Sequence, residues 1–154
     1  MRYASLLLLA ACGRIAFDET SNVDGSVDTP APNVFSRLVA YGDNTCAEYN
    51  GHAYCWGANV SGQIGDGTTM PRPSPTRVTL PDGALQGLTI GETHGCVILS
   101  GAAWCWGEHA GLMGPAKPAV QLALSNVTDI AAGKRFTCMV SSGTASCFGA
   151  DDVG

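Results

Sequence analysis

Apolar residues along this chain fall in short runs separated by clusters of Gly, Ser, Thr, Asn and Asp. No long stretch places them at helical spacing. This pattern predicts short strands joined by many turns, and so an all-β chain. The runs also repeat as a set. Residues 35–62 read FSRLVAYGDNTCAEYNGHAYCWGANVSG, residues 85–107 read LQGLTIGETHGCVILSGAAWCWG, and residues 127–154 read VTDIAAGKRFTCMVSSGTASCFGADDVG. They align without gaps. Phe35, Leu85 and Val127 match, as do Leu38, Leu88 and Ile130. The first cysteines (Cys46, Cys96, Cys138), the turn glycines (Gly51, Gly101, Gly143) and the second cysteines (Cys55, Cys105, Cys147) coincide. An aromatic and a glycine follow each second cysteine: Trp56-Gly57, Trp106-Gly107 and Phe148-Gly149. A tail after the first two copies aligns Pro75, Val78 and Leu80 with Pro118, Val120 and Leu122.

Each copy centres on a predicted hairpin. Asn50-Gly51 is the strongest two-residue turn signal, because a type I′ turn needs positive φ at both central positions. Ser100-Gly101 and Ser142-Gly143 are weaker forms of it. Counting outward from Asn50-Gly51 sets Tyr49 opposite His52, Glu48 opposite Ala53, Ala47 opposite Tyr54 and Cys46 opposite Cys55. The same count sets Cys96 opposite Cys105 and Cys138 opposite Cys147. Facing residues at non-hydrogen-bonded positions have Cα atoms about 4.5 Å apart, within the range a disulfide accepts. The register therefore predicts three hairpin disulfides, Cys46–Cys55, Cys96–Cys105 and Cys138–Cys147. The alternative is metal binding. Zinc sites place cysteines about two to four residues apart, and the wider one-on-one spacing here argues for disulfides and no metal. Such bridges form after export to an oxidising compartment.

Seven cysteines leave one over, and the N-terminus offers it a role. Arg2 is followed by an uncharged, mostly apolar stretch from Tyr3 to Ala11. That is shorter than the ~20 residues of a membrane-spanning helix, and fits the apolar region of an export signal. Leu9-Ala10-Ala11-Cys12 resembles the lipobox of bacterial lipoproteins, with Leu9, Ala10 and Ala11 at the recognition positions and Cys12 at the lipidated one. The resemblance implies a signal peptide over residues 1–11, a membrane anchor through lipid on Cys12, and a place in the bacterial cell envelope, at the outer membrane or cell surface. The alternative is an apolar strand start with a free buried cysteine. Residues 12–33 carry few apolar residues, several acids and prolines near the end. They read as a solvated tether spanning roughly 25 Å. The formal net charge of −5 argues against nucleic acid as a partner, which would call for a basic face.

The repeat resembles the regulator-of-chromosome-condensation (RCC1-like) repeat. The resemblance rests on Cys55-Trp56-Gly57, then Asn59, then Gly62-Gln63-Ile64-Gly65-Asp66-Gly67-Thr68-Thr69, then the Pro-Val-Leu tail. Trp56, Gly57, Gly62, Gln63 and Gly65 carry the signature in the first copy, and Trp106 and Gly107 in the second. The second copy departs after Gly107: it is shorter there and lacks the Gln and the acidic turn. The resemblance covers residues 34–154, divided as 34–83, 84–125 and a truncated 126–154. It implies an incomplete β-propeller of about two and a half blades of antiparallel strands. The third copy stops inside the signature, so the chain is expected to be part of a longer propeller, or else a short form that closes by self-association.

Candidate chemistry is sparse. GANVSGQIGDG suggests a phosphate loop but lacks the Gly-Lys-Ser/Thr that one needs, and its glycines read as turn residues. His52, His94 and His109 share no repeat position, and Asp151-Asp152 reads as a solvated turn. No nucleophile elbow or metalloprotease helix motif occurs in the sequence. Trp56 and Trp106 read as blade packing, with a ligand-facing surface as the alternative. Asn59-Val60-Ser61 and Asn126-Val127-Thr128 are formal glycosylation sequons. The sequence thus points to a non-enzymatic, surface-tethered interaction module without a cofactor, binding a protein or a glycan. The alternatives are a self-associating envelope scaffold and a secreted enzyme inhibitor.

Overall fold

The structure, a computed structural model, describes residues 35–108 and 118–149. The signal segment, Cys12, the tether, His109 and Asp151-Asp152 lie outside the described residues. The first sheet comprises β1 (Phe35–Tyr41), β2 (Asn44–Tyr49), β3 (His52–Gly57) and β4 (Arg72–Arg77). The second comprises β5 (Leu85–Ile90), β6 (His94–Leu99), β7 (Ala102–Gly107) and β8 (Val120–Gln121), and the third β9 (Val127–Ala132), β10 (Phe136–Ser141) and β11 (Thr144–Gly149). In each sheet the strands lie side by side in chain order and pair antiparallel. Such a meander is the unit from which propellers are built; we call the sheets blades 1, 2 and 3.

The turns fix the register. Asn50 and Gly51 have φ of 49° and 74°, Ser100 and Gly101 49° and 78°, and Ser142 and Gly143 49° and 79°. Positive φ at both positions is the type I′ geometry that matches the twist of a hairpin. It brings Cys46 opposite Cys55, Cys96 opposite Cys105 and Cys138 opposite Cys147. The glycine ending the third strand has a separate cause. A side chain on Gly57 would run into the Asp43 carbonyl, and one on Gly107 into the Thr93 carbonyl.

The tail of the repeat pairs differently from the sequence alignment. Cys55 faces Thr76, and Cys105 faces Val120. The next amides, of Val78 and Leu122, donate to the carbonyls of Ala53 and Ala103, each at 2.9 Å. Val78 is therefore the counterpart of Leu122, not of Val120. A shift of two residues keeps every side chain on its face, so the hydrophobic pattern alone could not detect it. β4 is an edge strand, and Pro73 and Pro75 within it lack the amide that would otherwise invite a further strand.

Burial follows the stacking of the blades. Cys46, Ala53 and Cys55 of blade 1 pack on Leu88, Ile90, Val97, Leu99 and Trp106 of blade 2. Cys96, Ile98, Ala103 and Cys105 of blade 2 pack in turn on Val127, Ile130 and Met139 of blade 3. The cysteine-bearing face of one blade thus covers the opposite face of the next. Every residue of β6 is buried, since blade 2 has a neighbour on both sides. In β11 no residue is fully buried. Each large aliphatic side chain so covered contributes about 1.5–3 kcal/mol.

Candidate functional site: the clasp between blades

The segment after Gly57 folds into a clasp that blade 1 extends over blade 2. Asn59, fully buried, is its hub. The Asn59 Oδ1 accepts from the Ile64 amide at 2.9 Å, and its Nδ2 donates to the Thr68 and Met70 carbonyls at 3.0 and 2.9 Å. Gly62, Gly65 and Gly67 have φ of 75°, 74° and 81°, and these left-handed turns curl the loop around that side chain. Asp66 closes it. Its Oδ1 accepts from the Thr68 amide at 3.0 Å and hydroxyl at 2.8 Å, and its Oδ2 from Arg72 Nε at 2.6 Å. Burial alone would raise the Asp66 pKa. The hydrogen bonds from Thr68 and from Arg72, and the Arg72 charge, outweigh it and hold the carboxyl below its ordinary value.

The tip of the clasp enters blade 2. Ile64 is fully buried in the core between the blades. Trp106 Nε1 donates to the Gln63 carbonyl at 2.8 Å, and Gln63 Nε2 donates to the Glu92 carbonyl at 3.3 Å. Gly65 lies against the Trp106 ring and Val78, with no room for a side chain. The signature residues Gln63 and Gly65 thus meet Trp106 of the following repeat, not Trp56 of their own. This joint escaped the sequence reading. The available signal was the order of motifs, a Gly-Gln-Ile-Gly loop standing one repeat ahead of a second Cys-Trp-Gly.

The cysteine pairs stand at disulfide distance, with Cα separations of 4.1, 4.1 and 4.0 Å in blades 1, 2 and 3. Blades 1 and 2 cover their pairs, whereas Cys147 in blade 3 is exposed. Trp56 is half-buried. Among the described residues none accepts a hydrogen bond from its indole. Leu38 is 68% exposed, against 7% and 8% for its counterparts Leu88 and Ile130.

The histidines do not converge. His52 lies beside the Arg77 guanidinium, its Nδ1 3.0 Å from Nη2. His94 is buried, its Nε2 2.8 Å from Thr137 Oγ1 of blade 3. Among the described residues no group of three or more His, Cys, Asp or Glu is placed to hold a metal ion. No helix among them is long and apolar enough to cross a membrane. Asn59 of the first sequon is buried and fully engaged, while Asn126 of the second is exposed.

Stacked antiparallel meanders, with blade 1 clasped to blade 2, define the class: these are blades of an incomplete β-propeller. Residues 50–98 match the family model "Regulator of chromosome condensation (RCC1) repeat". The matched segment runs from the hairpin turn of blade 1 into β6 of blade 2, so it spans the clasp. Among solved structures the chain is similar to human WBSCR16, at 18% identity and a TM-score of 0.67 over 77% of this chain and 33% of that one. It is similar to Prp20p from Saccharomyces cerevisiae at 19% identity and a TM-score of 0.63, over 75% and 33%. Yeast RCC1 (Prp20) bound to Kap60 matches at 18% and 0.60, over 73% and 29%. The chain spans about a third of the length of these structures. No curated protein matches it.

Proposed function

We propose that this chain is an exported, lipid-anchored, non-enzymatic module that binds another protein through its blade surfaces. One observation carries the export reading. Three cysteine pairs face each other one-on-one at Cα separations of 4.0–4.1 Å, an arrangement maintained as disulfides only outside a reducing cytosol. The sequence Leu9-Ala10-Ala11-Cys12 supplies a route out and an anchor at the membrane surface. The binding role draws on relatives. Yeast RCC1 (Prp20) is found bound to Kap60, and Prp20p is described by its binding to Gsp1p and histones. The blades here offer the same kind of scaffold, and the cell envelope would supply a different partner, a protein before a glycan.

The test is the mass and location of the chain produced in a bacterial host. A diacyl or triacyl group on Cys12, loss of residues 1–11 and sedimentation with membranes are expected. Cys12→Ser should leave the chain without lipid. A chain that keeps Met1 and reduced thiols in the cytosol would overturn the reading.

A further inference from the structure

The Cys46–Cys55 pair lies beneath the joint that the clasp closes. Both cysteines are fully buried, in one core with Ile64 at the clasp tip and with Leu88, Val97 and Trp106 of blade 2. Reducing such a bridge requires a thiolate to reach one of its sulfurs. Two obstacles stand in the way. The packed side chains of blade 2 leave no path to the pair, and an unpaired negative charge entering an apolar core is costly. The cover is fastened from one loop. Asn59 Oδ1 holds the Ile64 amide at 2.9 Å. Two further bonds cross from loop to blade 2, Trp106 Nε1 to the Gln63 carbonyl at 2.8 Å and Gln63 Nε2 to the Glu92 carbonyl at 3.3 Å. Releasing the loop therefore frees the joint above the cysteines. The Cys96–Cys105 pair offers an internal reference. It too is fully buried, but in a second core with Val127, Ile130 and Met139 of blade 3. None of the described clasp residues belongs to that core.

We propose that the clasp is the lock of a redox-sensitive joint. Closed, it shields the Cys46–Cys55 bridge from dithiol reductants; open, it hands the bridge to them. The inference rests on these two cysteines being bridged, and on neither the lipid anchor nor a binding partner. In the open joint one thiolate of the dithiol attacks a cysteine sulfur, the S–S bond breaks and the other cysteine leaves as a thiolate. The second thiolate of the dithiol then displaces the first cysteine. Two electrons pass to the protein, protons from water complete its two thiols, and the dithiol ends as a disulfide. The bridge ties β2 to β3 across their ladder. Its loss removes a constraint on the unfolded hairpin, so reduction in turn favours the open joint.

The test is reduction of the full chain, carrying Cys12→Ser, by dithiothreitol at about pH 8, with alkylation at set times and peptide mapping of each pair. Cys46–Cys55 should react at least about a hundredfold more slowly than in a disulfide-closed peptide of residues 44–57, because only the open fraction of the joint reacts. Asn59→Ala should speed reduction of Cys46–Cys55 by about tenfold or more and leave Cys96–Cys105 within about twofold. Asp66→Asn, a milder change in the same loop, should show the same selectivity with a smaller gain, and replaces Asn59→Ala if that variant does not fold. A parent chain that reacts at the peptide's rate would overturn the inference. So would a folded variant that speeds both bridges alike, or neither. Alkylation before dithiothreitol separates the two premises. Thiols found then overturn the inference together with the pairing, whereas bridges reduced at the peptide's rate overturn the shield alone.

Discussion

Replacing Asn59 by Ala should uncouple blade 1 from blade 2. The side chain makes three short hydrogen bonds, to the Ile64 amide and to the carbonyls of Thr68 and Met70. Truncation leaves all three without a protein partner. They do not cost the same. Met70 is exposed, so water can reach its carbonyl. Ile64 is fully buried, and its amide would be left without solvent. A buried group left unsatisfied costs about 1–3 kcal/mol. One such group, a half-covered second and a small cavity sum to about 2–4 kcal/mol. Urea denaturation of the oxidised chain measures this, with Val60→Ala as the control. Val60 adjoins Asn59 but is exposed, and its truncation should change stability by less than about 0.5 kcal/mol. Hydrogen exchange at Ile64 localises the effect, because protection there should fall before protection at β10. If Asn59→Ala costs no more than the Val60 control and Ile64 stays protected, the loop is not the clasp described here.

Other outcomes follow from the same geometry. Trp106→Phe removes the donor to the buried Gln63 carbonyl and part of a fully buried indole, and should cost at least about 1–3 kcal/mol in the same denaturation assay. Asp66 titrates below its ordinary value when folded, so its contribution is present above the unfolded carboxylate range near pH ~3.9 and fades as pH falls through the folded value. Asp66→Asn should therefore flatten the decline of Tm below about pH 4, and an unchanged decline would count against the assignment. Ser142 sits at a φ of 49°, and Asn tolerates that region better. Ser142→Asn should raise stability by a few tenths to about 1 kcal/mol, part of the ~1–2 kcal/mol that left-handed backbone costs other residues.

The hairpins were legible because each turn announces its register. Asn50-Gly51 needs no tertiary information to set Cys46 opposite Cys55, and the count carries unchanged to the other copies. The tail was not legible to the same precision. Val78 and Leu122 are counterparts through backbone hydrogen bonds to Ala53 and Ala103, and a two-residue slip leaves the apolar pattern intact. The clasp was hidden for a different reason. Gln63 and Trp106 meet only because one blade stacks on the next, and a repeat read singly assigns its loop to its own tryptophan. The burial of Asn59 was hidden likewise. A polar residue beside glycines reads as an exposed turn until the loop is seen to wrap around it.

The facing cysteines mark the register, define the blade and support the proposed export. Peptide mapping of the exported chain without reduction tests them directly. Three separate linked hairpins are expected, Cys46 with Cys55, Cys96 with Cys105 and Cys138 with Cys147, and no bridge between blades. Free thiols at these positions, or a bridge joining two hairpins, would contradict it.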